Sequence, residues 1–239
     1  MGVAPCLQDK LPHRDGVGAR PSGFGRFRRP LGTHGLDGVS TQARTRNLHL
    51  PVSGRNRASR RANLPSAKER DRAIMSAAVV LRYDLQPGDL GQIIQLHGTI
   101  YAREHGLGPA FEADVALRLA EFVQSSSEGG RLWIAERAGR VVGGIAVVGL
   151  SPKDAQLRWF VVDPLVRGLA LGERLLGEAV AFCQDRGFEY VFLWAIRPSK
   201  SAVEMYRGAG FEKVGGGCSE RWGVEVIEET HALYLGSRS

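Results

Sequence analysis

The stretch VVDPLVRGLALG, Val161–Gly172, decides how the rest of this chain is read. An apolar strand runs up to Asp163 and must stop at Pro164, which has no backbone N–H to give to a sheet. A short loop carrying Arg167 and Gly168 follows, and a helix begins within Leu169-Ala170-Leu171-Gly172. The first amides of a helix lack partners inside the helix, and its dipole places partial positive charge there, so the unit can hold an anion. Arg167 adds a full charge beside it, and a pyrophosphate is the natural ligand. Taken alone, the same residues also describe a plain turn into a helix. No Gly-Lys-Ser/Thr follows, so this is no Walker A loop, and the glycine order is not that of a dinucleotide fingerprint.

Working outward, Ala170–Arg186 reads as an amphipathic helix with Leu171, Leu175, Leu176, Ala179, Val180 and Cys183 on its apolar side. EYVFLWAI after it reads as a strand buried on both faces. SKSAVEMYRGAG is a short helix, and FEKVGG and WGVEVIEETHALYL are the closing strands. Upstream, VVLRYDL (Val79–Leu85) is a first strand. Helices follow at DLGQIIQLHGTIYAREHG and AFEADVALRLAEFVQ. A hairpin spans Arg131–Glu136 and Val141–Leu150, and AQLRWFVVDP leads into the loop. The pattern is an α/β domain with a central sheet and helices on both faces, large enough for one core.

The chain is 43% hydrophobic with a formal net charge of +7, but the charge is unevenly placed. Residues 1–74 carry 15 Lys and Arg against 5 Asp and Glu; residues 75–239 carry 17 against 20. Basic character therefore belongs to the first segment, where Gly, Pro and Arg are scattered without periodicity and too little is apolar to offset the entropy of ordering. Residues 1–74 are expected to be a disordered basic tail or upstream sequence ahead of a start at Met75, with an organelle transit peptide as a third reading. Residues 75–239 form the folded domain. Nucleic-acid contact is confined to non-specific binding by the tail, where Phe24 and Phe27 stand among arginines. Cys6, Cys183 and Cys218 have no metal or redox spacing. Cys183 and Cys218 read as buried small residues of a reducing, cytoplasmic compartment. No stretch is long and apolar enough to span a membrane, and no metal set is expected.

Arg167-Gly-Leu-Ala170-Leu-Gly172 resembles the acyl-CoA loop of the GCN5-related N-acetyltransferases (GNAT), Arg/Gln-x-x-Gly-x-Gly/Ala, with Ala170 in place of the usual Gly. Ser201–Phe211 is similar to that family's closing signature: Ala202 and Tyr206 on a helix, then Gly210-Phe211 entering a strand. The predicted elements extend the resemblance over Val79–Leu235. The folded half looks most like the acetyltransferase domain of bacterial MarR–acetyltransferase fusions, on His97-Gly98 and Tyr101–Gly106, here without the winged helix.

The resemblance implies a mixed, mostly antiparallel sheet and an acetyl-CoA-dependent N-acetyltransferase moving an acetyl group to an amine of a small molecule or a protein. Its alternative is a non-catalytic acyl-CoA-binding regulatory module. The donor would be held by Val161, Val162, Arg167, Gly168, Leu169, Ala170, Leu171, Gly172 and Ser201. A backbone N–H near Phe160–Val162 would stabilise the oxyanion, and Tyr206 would protonate the departing thiolate. Arg197 stands where the family often has Asn. Glu112 leads the candidates for general base, with His97, His105, Glu104, Glu225 and His231 beside it; water-mediated deprotonation with no base remains open. Trp159 and Trp194 read as core or groove-lining aromatics, and Trp194 is placed in the core. The last strand could pair with a second copy.

Overall fold

The computed structural model describes residues 76–125 and 129–236, with the isolated positions 66 and 68. Nearly all of the expected 1–74 segment therefore lies outside the described residues. The elements are β1 (Val79–Arg82), α1 (Asp89–His105), α2 (Pro109–Gln124), β2 (Arg131–Arg137), β3 (Arg140–Gly149), β4 (Asp154–Val162), a 3-10 turn (Pro164–Val166), α3 (Leu171–Asp185), β5 (Tyr190–Ile196), α4 (Lys200–Gly208), β6 (Glu212–Arg221) and β7 (Val224–Tyr234).

The strands form one sheet in the order β1-β2-β3-β4-β5-β7-β6. Every neighbouring pair is antiparallel except β4 with β5. That one parallel pair follows from α3, because a helical crossover returns the chain to the starting end of the sheet. The mixed, mostly antiparallel sheet with helices on both faces is as the sequence led one to expect.

Two apolar layers hold the helices. On one face Leu171, Leu175, Leu176 and Ala179 of α3 pack on Val142, Ile145, Leu157 and Val191, joined by Tyr206 of α4. On the other, Ile93 of α1 and Phe111, Val115 and Leu119 of α2 pack on Leu132, Ile134 and Trp159. Burying each such side chain contributes about 1.5–3 kcal/mol. Asp89, only 2% exposed, pins α1 to β1: Arg82 donates to its two oxygens at 2.7 and 2.8 Å. This hydrogen-bonded guanidinium, more than any other influence, holds the Asp89 carboxyl below its ordinary pKa.

Several expectations change. β1 ends at Arg82 and not at Leu85. β6 runs past its triple glycine to Arg221 and forms a long hairpin with β7 through a two-residue turn, Trp222-Gly223, both at positive φ. β5 is buried on one face only. Val191, Leu193 and Ala195 point into the core, while Tyr190 and Phe192 are half-buried and Trp194 is 54% exposed. The apolar run came from an aromatic stripe on the opposite face, where Phe192 meets Tyr190 at 5.7 Å and Trp194 at 5.9 Å, and not from two buried faces. Trp194 is thus no core residue, whereas Trp159 packs on Phe122 and Trp133 on Phe182 of α3. Cys183 is a buried free thiol whose pKa burial pushes up to about 12. Cys218 departs from the expectation, being only half-buried on β6.

Candidate active site

The site begins with a fault in the sheet. Between β3 and β4 the register passes from Gly144↔Val161 to Ala146↔Arg158, so β4 holds one residue too many. The surplus is a β-bulge in which Trp159 takes φ 48°. A bulge bends its strand and raises its twist. Accordingly β4 and β5 are paired only from Asp154↔Tyr190 to Leu157↔Leu193, and residues 158–162 and 194–196 then diverge. The result is an opening inside the sheet, edged by β4 backbone that no strand covers.

The backbone of Val162 faces that opening. Asp163 N–H donates back to Val142 O on β3 at 2.8 Å, and Arg167 Nε donates to Val162 O at 3.3 Å from the other side. Peptide groups alternate in direction along a strand, so Val162 directs both its N–H and its carbonyl away from β3. The Val161 side chain is buried against Leu96 and Ile100 of α1.

Asp163 closes the strand. Its carboxylate accepts from Leu165 N at 2.9 Å and is paired with Arg140 at 3.3 Å, which sets the 3-10 turn and delivers the loop. Gly168 (φ 78°) and Ala170 (φ 54°) both adopt left-handed backbone. Ala170 is the N-cap of α3 and supplies no side-chain cap, so the first-turn amides are left to an outside acceptor. Gly168, Leu169 and Ala170 are exposed. Leu171 is buried in the core and can take part only through its backbone. At Gly172 an added Cβ would stand 2.9 Å from Met205 Sδ, so the missing side chain lets α3 and α4 close up.

Tyr206 reaches the opening from α4. It is 8% exposed, its ring lies 6.3 Å from Phe160 and 5.2 Å from His231, and burial raises its pKa. Among the described residues no hydrogen bond engages its hydroxyl. His231 is itself buried, with Nε2 3.0 Å from Glu229 Oε2. Ser201 lies in the first turn of α4, exposed, its Oγ 3.0 Å from that of the capping Ser199. Arg197 leaves β5 at φ 40°, exposed, with its N–H bonded to Ile227 O.

From the other face α1 presents His97, Tyr101 and His105 at a spacing of four. Tyr101 stacks between the two histidines at 5.9 and 5.0 Å and on Phe111 at 4.6 Å. Burial raises the Tyr101 pKa, and its charge would in turn raise that of Tyr206, which places the two phenols in one neighbourhood. Tyr101 was no sequence candidate; the four-residue spacing of rings around it was the signal that could have found it. His97 is buried, 2.9 Å from Ile93 O, and burial lowers its pKa to about 4. A neutral ring donating to a carbonyl in the core cannot meet a substrate. His105 is half-buried, and its pKa is lowered by burial first, with Arg197 and Arg167 adding and Glu104 opposing. Glu112 is exposed on α2 with no ion pair among the described residues, and its carboxylate lies over Gly98, where an added Cβ would collide with Oε2. Glu225 stands exposed beside the turn of the β6–β7 hairpin.

Among the described residues no cluster of His, Cys, Asp or Glu could hold a metal, and no helix is long and apolar enough to cross a membrane.

Residues 96–211 match the model of the acetyltransferase (GNAT) family. A rat protein, N-acetyltransferase family 8 member 2, is 32% identical over 91 residues, covering 36% of this chain and 40% of its own. Human N-acetyltransferase 8B is 29% identical over 131 residues, covering 51% and 58%. The chain thus spans about half the length of these curated relatives. In structure, yncA of Salmonella typhimurium, solved with its cofactor acetyl-CoA, superposes with a TM-score of 0.55 at 17% identity over 68% of this chain and 96% of that one. The ribosomal-protein-alanine N-acetyltransferase of Brucella melitensis does so at 0.54 and 18%, over 65% and 99%. The described chain has the fold of the GNAT-family acetyltransferases.

Proposed function

We propose that this chain is an acetyl-CoA-dependent N-acetyltransferase acting on an amine by direct transfer. The observation that carries the reading is the splay of β4 from β5 beside the uncapped start of α3. Inside an otherwise paired sheet, the Val162 N–H, directed away from β3, suits an extended amide-bearing arm laid along the strand edge. The amides of Gly168–Gly172 and the Arg167 guanidinium suit a diphosphate at its end. The residues fit acetyl-CoA on both counts, and the acetyl thioester supplies the activated carbonyl.

The protein's part is to position and to move protons. Val162 N–H is directed to donate to the carbonyl oxygen as negative charge gathers on it. The amine nitrogen forms its bond to the carbonyl carbon, the C–S bond breaks, and Tyr206 donates its phenolic proton to the leaving sulfur. A phenol carries its proton at neutral pH, and burial raises the Tyr206 pKa further. The amine loses its proton on the α1–α2 side, where His105 and Glu112 flank Tyr101 and Phe111. Ser201 and Arg197, on the α4 side of the opening, complete the donor contacts.

The domain boundary near residue 75, non-specific anion binding by the basic tail and a cytoplasmic setting all belong to this reading, as does the kinship with MarR–acetyltransferase fusions. The last strand, β7, lies between β5 and β6 and has no open edge for a second copy, so any such pairing falls to the edge strands β1 and β6. The test is release of free thiol from acetyl-CoA by the full chain, with a panel of small amines and amino-terminal peptides. Amine-dependent release establishes the transferase. Tight binding of acetyl-CoA without release under any amine favours the regulatory module instead.

A further inference from the structure

Arg167, the cation of the donor loop, is not waiting free. Its Nη1 lies 2.7 Å from Glu104 Oε1 and its Nη2 donates to Oε2 at 3.1 Å, while Nε donates to Val162 O. One side chain thus ties the loop, the open edge of β4 and the last turn of α1 together across the mouth of the splay. The three contacts reach two elements, α1 and β4, from the loop, and the loop and the β4 edge are the parts a donor molecule would need.

We propose that Glu104 is the amine-recognising carboxylate of this site, held by Arg167 until the diphosphate of the acyl donor takes the guanidinium. The proposal rests on the acetyltransferase reading. The ion pair is exposed, with side-chain accessibilities of 46% and 32%, and such pairs are weak and exchangeable. A diphosphate seated on the amides of Gly168–Gly172 offers more negative charge and the same two-pronged geometry, so Arg167 changes partner. Glu104 is then an unpaired carboxylate one residue from His105 and one turn from Tyr101. The charges of Glu104, Arg167 and Arg197 all act on that histidine. A carboxylate freed there attracts an ammonium group. It follows that the acceptor is a positively charged amine, and that it binds well only after the donor has bound. Coupling of this kind is reciprocal, so the amine tightens the donor to the same degree.

The experiment compares wild type, Glu104→Gln and Glu104→Asp as full chains, by calorimetry with acetyl-CoA and with acetyl-pantetheine, which has no diphosphate. The proposal expects Glu104→Gln to bind acetyl-CoA about threefold more tightly, since a competitor for Arg167 has gone, and acetyl-pantetheine no differently. Glu104→Asp, too short for the two-pronged contact, should shift the same way. In turnover, KM for a cationic amine such as spermidine should rise about tenfold in Glu104→Gln, because the charge that receives it is lost. Unchanged or weaker acetyl-CoA binding in both variants, with wild type binding normally, overturns the proposal and leaves the acetyltransferase reading standing. Wild type that does not bind acetyl-CoA at all overturns both.

Discussion

A methyl group built on Gly143 of β3 would stand 2.9 Å from the carbonyl oxygen of Val161 on β4. The two strands approach this closely where the bulge at Trp159 bends β4, and the contact is with backbone, which cannot swing aside. Gly143→Ala should therefore push the splayed end of β4 out of place, costing about 1–3 kcal/mol of stability. Acetyl-CoA affinity should fall more steeply than in an equally destabilised core variant remote from the splay, such as Leu119→Val. Equal affinities in the two would show that the edge of β4 is not where the donor lies.

Ala170 occupies left-handed backbone at φ 54°. That conformation costs a residue with a Cβ about 1 kcal/mol, and glycine would relieve it while adding freedom to the unfolded chain. The two effects nearly cancel, so Ala170→Gly should change stability by less than about 1 kcal/mol. Removal of the methyl from the loop surface should tighten acetyl-CoA. Ala170→Val, branched at Cβ, should lose both stability and affinity. Thermal melts with and without acetyl-CoA read all three effects.

Tyr206→Phe retains the ring against Phe160 and His231 and removes only the hydroxyl. If that hydroxyl protonates the leaving thiolate, kcat should drop by about a hundredfold or more while the Kd for acetyl-CoA stays within about threefold. A matching loss in Kd would instead mark Tyr206 as a binding residue.

Deprotonation of the amine leaves its mark in the pH profile. His105 has its pKa held below the ordinary 6.5, chiefly by burial, so it is already neutral and able to accept a proton at pH 7. The acid limb of kcat/KM should lie below 6.5 and vanish in His105→Gln. Persistence of the limb in that variant and its loss in Glu112→Gln would assign the role to the carboxylate.

His97 governs stability, not rate. Its pKa falls from 6.5 unfolded to about 4 folded, so the unfolded chain takes up the proton first as pH drops. The stability this burial retains is fully present above pH 6.5, shrinks below it, and has gone by about pH 4, a total of about 3 kcal/mol. Between pH 7 and pH 5 wild type should lose about 2 kcal/mol that His97→Gln does not. Denaturant melts at the two pH values measure the difference, and parallel losses would refute the assignment.

The sequence by itself determined the elements and their order, because periodicity, Gly and Pro act locally. It placed α1, α2, α3 and α4 within a residue or two, and it singled out Val161–Gly172 since a strand, a proline stop and an uncapped helix start are contiguous. It also named Tyr206 as a candidate, through a resemblance to a known family. It misjudged β5, where an apolar run does not say which face is covered; only the placement of the helices leaves Trp194 exposed. It could not show the bulge at Trp159, because an extra residue is extra only against the register of β3. Nor could it pair Arg167 with Glu104, 63 residues earlier in the chain. That contact exists because α1 crosses the mouth of the splay, and which charges meet across a sheet is settled by packing, not by spacing along the chain.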